Sequence, residues 1–137
     1  NGYGQLGPGN ATQQNTPFKP NSPFQGSITR VQIGGSSSYI GCIVQAGNEL
    51  WAAGYNGNGN IGLGNANSTN NTFQKVLGVS GVIADWSPYG HGTAPWGLGV
   101  LYDDGRVDAC GENNNYGETG TRPSNLHDIL NLTNVIF

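Results

Sequence analysis

One short phrase, written three times, constrains this chain more than any other feature. It reads Asn1-Gly2-Tyr3-Gly4-Gln5-Leu6-Gly7, then Asn56-Gly57-Asn58-Gly59-Asn60-Ile61-Gly62, then Asn114-Asn115-Tyr116-Gly117-Glu118-Thr119-Gly120. Gly59 follows Gly4 by 55 residues, and Gly117 follows Gly59 by 58. Self-similarity at such a period marks a repeat architecture, in which one supersecondary unit recurs and neighbours bury each other's apolar faces. A lone Gly-rich phrase would suit a phosphate cradle. Its recurrence after the same local pattern makes it a structural connector.

That local pattern is a hairpin. Gly47-Asn48-Glu49-Leu50-Trp51-Ala52-Ala53-Gly54 precedes the second phrase, and Asp104-Gly105-Arg106-Val107-Asp108-Ala109-Cys110-Gly111 precedes the third. Aligned on the last glycine, Gly47-Asn48 falls on Asp104-Gly105, Ile43-Val44 on Val100-Leu101 and Tyr39 on Trp96. A turn of the Gly-Asn or Asp-Gly type between two apolar runs joins antiparallel strands, since these residues reach positive φ at low cost. Strands are expected at 28–33, 39–45, 49–53, 79–86, 97–102, 106–110 and 134–137. No window keeps apolar residues at helical spacing, and residues 127–132 allow one helical turn at most. The expected fold class is all-β. Gly4, Gly7, Gly54, Gly59, Gly62, Gly111, Gly117 and Gly120 are the glycines that recur in the repeat.

The phrase and the hairpin together resemble the regulator of chromosome condensation propeller family, over essentially the whole chain. The resemblance implies a partial β-propeller over residues 1–137, built of four-stranded antiparallel blades that this family closes with seven repeats. About two and a half repeats are present. Two departures stand out: Glu118-Thr119 replaces the amide and Leu of the family phrase, and Gly34 to Ser38 keep the family's hydroxyls without its His. The chain begins inside the phrase and ends on Val135-Ile136-Phe137, an apolar run that would leave an unprotected sheet edge. It is therefore expected to be an excerpt of a longer protein.

Charge narrows the setting. Only 9% of residues are charged, and the net charge is −3. A globular chain usually carries about a quarter. The five basic residues, Lys19, Arg30, Lys75, Arg106 and Arg122, are scattered, so no basic stripe exists to neutralise phosphates. Work at chromatin or on a small GTPase, which the resemblance would suggest, is therefore not carried over. No apolar run approaches a membrane span. A surface of amides and hydroxyls suits an extracellular or virion-exposed protein.

Groups that carry chemistry are few. Cys42 and Cys110 fall on different strands of neighbouring units and read as buried thiols or as a disulfide between blades. No ligand spacing points to a metal, and Asp103-Asp104-Gly105 with Asp108 reads as a hairpin turn instead of a calcium loop. His91 and His127 stand in loops without a nucleophile or carboxylate at a recognisable spacing. Sequons begin at Asn10, Asn67, Asn70 and Asn131. No cofactor and no catalytic residue is expected.

The segment Trp86 to Trp96 is the most distinctive stretch between the repeats. Trp86, Tyr89, His91 and Trp96 lie there among hydroxyls and prolines, a composition suited to stacking on sugars or peptides. The alternative is that Trp86 and Trp96 are core residues, and the match of Trp96 to Tyr39 favours it for Trp96. Residues 8–26 and 64–75 read as long polar loops, which carry variable contacts in repeat folds. The expected function is a non-enzymatic binding or display module on an exterior surface, as in a phage fibre or adhesin, contacting a glycan or protein receptor. An intracellular regulatory propeller and a purely structural assembly module are the alternatives. Further repeats of the same protein or other subunits are the expected neighbours.

Overall fold

A computed structural model describes residues 1–17, 23–36, 39–90, 97–112, 119–120 and 129–135, with backbone alone at 35, 36, 39 and 129–131. Strands β1 (Ile28–Ser36), β2 (Tyr39–Ala46), β3 (Glu49–Gly54) and β4 (Asn70–Lys75) form one four-stranded sheet in that order. Strands β5 (Ile83–Tyr89), β6 (Gly97–Tyr102), β7 (Val107–Gly111) and β8 (Ile129–Asn134) form a second with the same order. All six pairings are antiparallel. These sheets are two consecutive blades of a β-propeller, and no helix occurs among the described residues.

The registers repeat residue for residue. Val31 pairs with Val44 and Val44 with Trp51, while Trp86 pairs with Val100 and Val100 with Asp108. Ile33, Cys42 and Ala53 line up in the first blade as Pro88, Leu98 and Cys110 do in the second. Both innermost strands shift register at the same place, between Ile28 and Arg30 and between Ile83 and Asp85. The hairpin tips differ. Ala46 pairs with Glu49 across the two-residue turn Gly47-Asn48, whereas Asp103, Asp104 and Gly105 lie between Tyr102 and Arg106, whose carbonyl accepts from the Tyr102 N–H. The second tip is thus one residue longer, which corrects the match of Gly47-Asn48 to Asp104-Gly105. Before the turn, Cys42 corresponds to Leu98.

Three expected elements are corrected by the sheets. Residues 70–75 form β4, not part of a loop. Their sequence Asn-Asn-Thr-Phe-Gln-Lys hides the strand because an outermost strand buries only Asn70 and Phe73. Residues 129–134 form β8, where the sequence allowed at most one helical turn over 127–132 and placed a strand at 134–137; Ile136 and Phe137 lie outside the described residues. The strand expected from Val79 begins at Ile83 and runs on through Pro88 to Tyr89. Pro88 is tolerated because β5 is an edge strand and needs no second ladder partner.

Each blade pinches at a pair of facing glycines, Gly41 with Gly54 and Gly97 with Gly111. Gly54 adopts φ +116°, and a Cβ there would lie 2.5 Å from the Ile40 carbonyl oxygen and 2.8 Å from the Gly41 Cα. Gly54→Ala is expected to cost about 2 kcal/mol through strain and backbone contact. Gly99→Ala is the control. Its Cβ would meet only the Ser87 carbonyl oxygen at 3.9 Å, so a change within about 0.5 kcal/mol is expected. Urea denaturation of both variants checks the contrast.

The main core lies between the blades. Ile43, Leu50 and Ala52 from the first meet Trp86, Leu98, Val100, Tyr102 and Cys110 from the second, with Ile61 of the second phrase inserted among them. A smaller cluster of Cys42, Val44, Ala53 and Phe73 lies on the other face of the first blade.

Candidate functional site

The first two phrases fold into one design. In each, the fourth residue's N–H donates to the carbonyl of the first (Gly4 to Asn1, 2.9 Å; Gly59 to Asn56, 3.0 Å). The seventh donates to the fourth (Gly7 to Gly4, 2.8 Å; Gly62 to Gly59, 3.1 Å). The leading asparagine then locks the loop through its side chain. Its Oδ1 accepts from the backbone N–H five residues on, Leu6 for Asn1 and Ile61 for Asn56, at 2.9 Å in both copies. Its Nδ2 donates to the carbonyl nine residues on, Asn10 at 2.9 Å and Asn65 at 2.8 Å.

A second asparagine continues the pattern. Asn10 Oδ1 accepts from the Thr12 N–H at 2.9 Å, and Asn65 Oδ1 from the Asn67 N–H at 3.0 Å. Two asparagines per repeat therefore fix the path of a loop whose other side chains face solvent. Residues 9–13 and 15–17 are exposed in the first loop, and residues 66–69 in the second. Sequence reasoning found the phrase and missed this extension. The signal was present, since Gly-Asn-Ala stands at both 9–11 and 64–66. Of the third phrase, residues 114–118, with Gly117, lie outside the described residues. Thr119 is buried where Leu6 and Ile61 stand in the other copies, and Gly120 keeps the positive φ of Gly7 and Gly62.

The aromatic segment after the second bulge is only partly a surface. Trp86 is 2% exposed, within the inter-blade core, and its indole N–H donates to Gln45 Oε1 at 2.7 Å. The Arg30 guanidinium lies 4.5 Å from the ring centroid. Trp86 is therefore corrected from a stacking platform to a core residue, because the period-two alternation of β5 turns it inward and Asp85 and Ser87 outward. Tyr89 is half-buried, and its hydroxyl donates to the Cys110 carbonyl at 3.0 Å. It lines a shallow hollow of about 270 Å³ with Asp85, Ser87, Gly99, Leu101 and Val107. His91 and Trp96 lie outside the described residues, as does His127.

Among the described residues, no group of three or more His, Cys, Asp or Glu gathers as a metal site. Asp104 Oδ1 accepts from the Arg106 N–H at 2.9 Å, which closes the hairpin tip. Asp108 is buried and meets Arg106 Nη1 at 3.4 Å, and the Arg106 guanidinium covers the Tyr102 ring at 4.3 Å. The sequon asparagines differ in access. Asn10 and Asn67 are exposed, whereas Asn70 is buried and donates to the Gly54 carbonyl at 3.0 Å. No helix of the described residues is long and apolar enough to cross a membrane.

Cys42 and Cys110 are free thiols buried in separate clusters. Burial pushes Cys42 to about 11 and Cys110 to about 12. The thiolate is the reactive form, so both are expected to resist a thiol reagent at pH 8 in the native state and to react fully in urea. Stoichiometric labelling of either sulfur before unfolding would contradict their placement.

No protein-family model matches the chain. Among solved structures it is similar to human WBSCR16, with 16% sequence identity and a TM-score of 0.74 over 99% of this chain. The match covers 33% of the WBSCR16 chain, so this chain spans a third of that protein's solved length. Likeness at this identity is a likeness of fold, and function is decided by the site instead.

Proposed function

We propose that this chain is a non-enzymatic binding module, part of a propeller of the regulator of chromosome condensation repeat type. It presents its phrase loops to a protein or glycan receptor at an exterior surface, as a virion fibre or an adhesin does. One observation carries this reading. The same two-asparagine network holds the loop after each of the first two phrases, so exposed amides and hydroxyls are displayed on a fixed backbone in successive repeats. A fixed loop loses little conformational entropy on binding, which is what a display surface needs. The low charge of the chain fits recognition through hydrogen bonds and aromatic contacts.

The test uses the folded chain on a glycan array and against candidate receptor proteins. One variant carries Thr12→Ala, Gln13→Ala and Asn15→Ala; a second carries Asn67→Ala, Ser68→Ala and Thr69→Ala. Neither touches the asparagine side chains that hold the loops. Binding lost in either variant at unchanged melting temperature supports the reading. Binding that survives both, or turnover of the bound ligand, overturns it. Trp86→Ala is unsuitable here because Trp86 is core, while Tyr89→Ala and His91→Ala probe the rest of the aromatic segment. The exposed Val31 and Ile33 beside a groove on the first blade favour a structural assembly module as the second reading.

A further inference from the structure

Residues 1–17 and 55–69 hold the first two phrases and the loops after them, and contain no Asp, Glu, Lys or Arg. Exposed large apolar side chains are also missing from them. Among the described residues those are Ile28, Val31, Ile33, Leu77, Val82 and Leu101, all outside both stretches. The surface that the two stretches build consists of amides, hydroxyls and glycine backbone. Into it are set two half-buried tyrosines, Tyr3 and Tyr55.

The two tyrosines come from successive repeats and meet. Their ring centroids lie 5.4 Å apart at an interplanar angle of 82°. Each is held in place by its own repeat. Tyr55 follows β3 directly, and its N–H donates to the Ile40 carbonyl at 2.9 Å. Its hydroxyl donates to Asn58 Oδ1 at 3.1 Å. The end of its ring lies on Gly57, where a Cβ would come within 2.2 Å of the hydroxyl oxygen and 2.5 Å of Cζ. The Tyr3 N–H donates to Gln5 Oε1 at 3.2 Å, and Gln5 packs in turn on Gly54 at the end of β3. An edge-to-face pair leaves ring faces uncovered that a parallel stack would bury.

This chemistry suits one class of ligand. A pyranose ring offers a face of C–H groups that packs on an aromatic ring, rimmed by hydroxyls that both donate and accept. Side-chain amides also do both. A peptide anchor would need a desolvated apolar pocket, and a sialylated or sulfated sugar would need a cation. Neither stretch supplies them. We propose that Tyr3 and Tyr55 are the stacking platform of a binding site for neutral oligosaccharides of hexose or N-acetylhexosamine units, whose hydroxyls meet the amides of the two phrases. The inference rests on the reading of this chain as a binding module and names the ligand class of that reading. The asparagine network and the Gly57 seat fix the platform before a ligand arrives, so little freedom is lost on binding.

The folded chain is probed on an array of neutral, sialylated and sulfated oligosaccharides, and the strongest neutral hit is titrated calorimetrically against parent and variants. Neutral glycans are expected to dominate the array. Tyr3→Ala is expected to weaken binding about tenfold, whereas Tyr3→Phe keeps the ring and should bind within about threefold of the parent. Tyr3→Leu retains apolar volume without an aromatic face, so it should lose as much as Tyr3→Ala and decides the matter where alanine loosens the loop. Preference for sialylated or sulfated glycans overturns the proposal, as does parental affinity in both Tyr3→Ala and Tyr3→Leu. Glycan binding lost in the loop variants but kept in Tyr3→Leu removes the platform and leaves the display reading standing. A silent array beside a bound protein receptor does the same. Absence of any glycan or protein ligand removes both.

Discussion

Asn56→Ala is expected to lower the free energy of unfolding by about 3 kcal/mol, while Asn1→Ala costs under about 1 kcal/mol. The two asparagines share two equivalent hydrogen bonds and differ in a second Nδ2 contact, to the Thr12 carbonyl for Asn1 and to Asn65 Oδ1 for Asn56, so the difference is mainly one of burial. Asn56 and Ile61 are both 0% exposed. Alanine at 56 strands the Ile61 N–H, which lost the Asn56 oxygen at 2.9 Å, and removes the donor to the Asn65 carbonyl. A buried donor left without a partner costs about 1–3 kcal/mol, and loosening Ile61 within the inter-blade core adds to it. Asn1 is half-buried at the end of the chain, where water replaces what the side chain supplied. With a urea dependence of about 2 kcal/mol per molar, the Asn56→Ala midpoint should fall by about 1.5 M. Equal losses at the two positions would show that the network acts locally in each loop and does not anchor the core.

Much of this fold was legible because the repeat writes the same instruction in sequence and structure. The hairpins around Gly47 and Gly105 fall where turn residues interrupt apolar runs, and β6 keeps the bounds read from its sequence. The outermost strands were hidden for a physical reason. β4 shows the core only Asn70 and Phe73, so its sequence has the polarity of a loop. The longer second hairpin tip was invisible to an alignment fixed on glycines, because Asp103-Asp104-Gly105 and Gly47-Asn48 both satisfy turn chemistry. At the loops the phrase was plain, and the repeated Gly-Asn-Ala marked the asparagine nine residues later without revealing what it does. Its role depends on a contact that local pattern does not encode.

Replacing Trp86 by alanine is expected to be the most damaging single change, at about 4 kcal/mol and about 15 °C in melting temperature. The ring fills the junction beside Ile43, Leu50, Leu98 and Val100, and alanine leaves a cavity that two rigid sheets cannot close. It also removes the surface under the Arg30 guanidinium and the donor to Gln45. Trp86→Phe separates these contributions. It keeps most of the apolar volume and loses the N–H, so a cost of about 1–2 kcal/mol is expected, part of it recovered by adding Gln45→Leu. Thermal melts of the four proteins give the answer directly. A Trp86→Ala chain that melts within about 3 °C of the parent would contradict the burial of this ring. If the expected loss is found, Trp86 holds one blade to the next, and ligand contacts are to be sought on the loops.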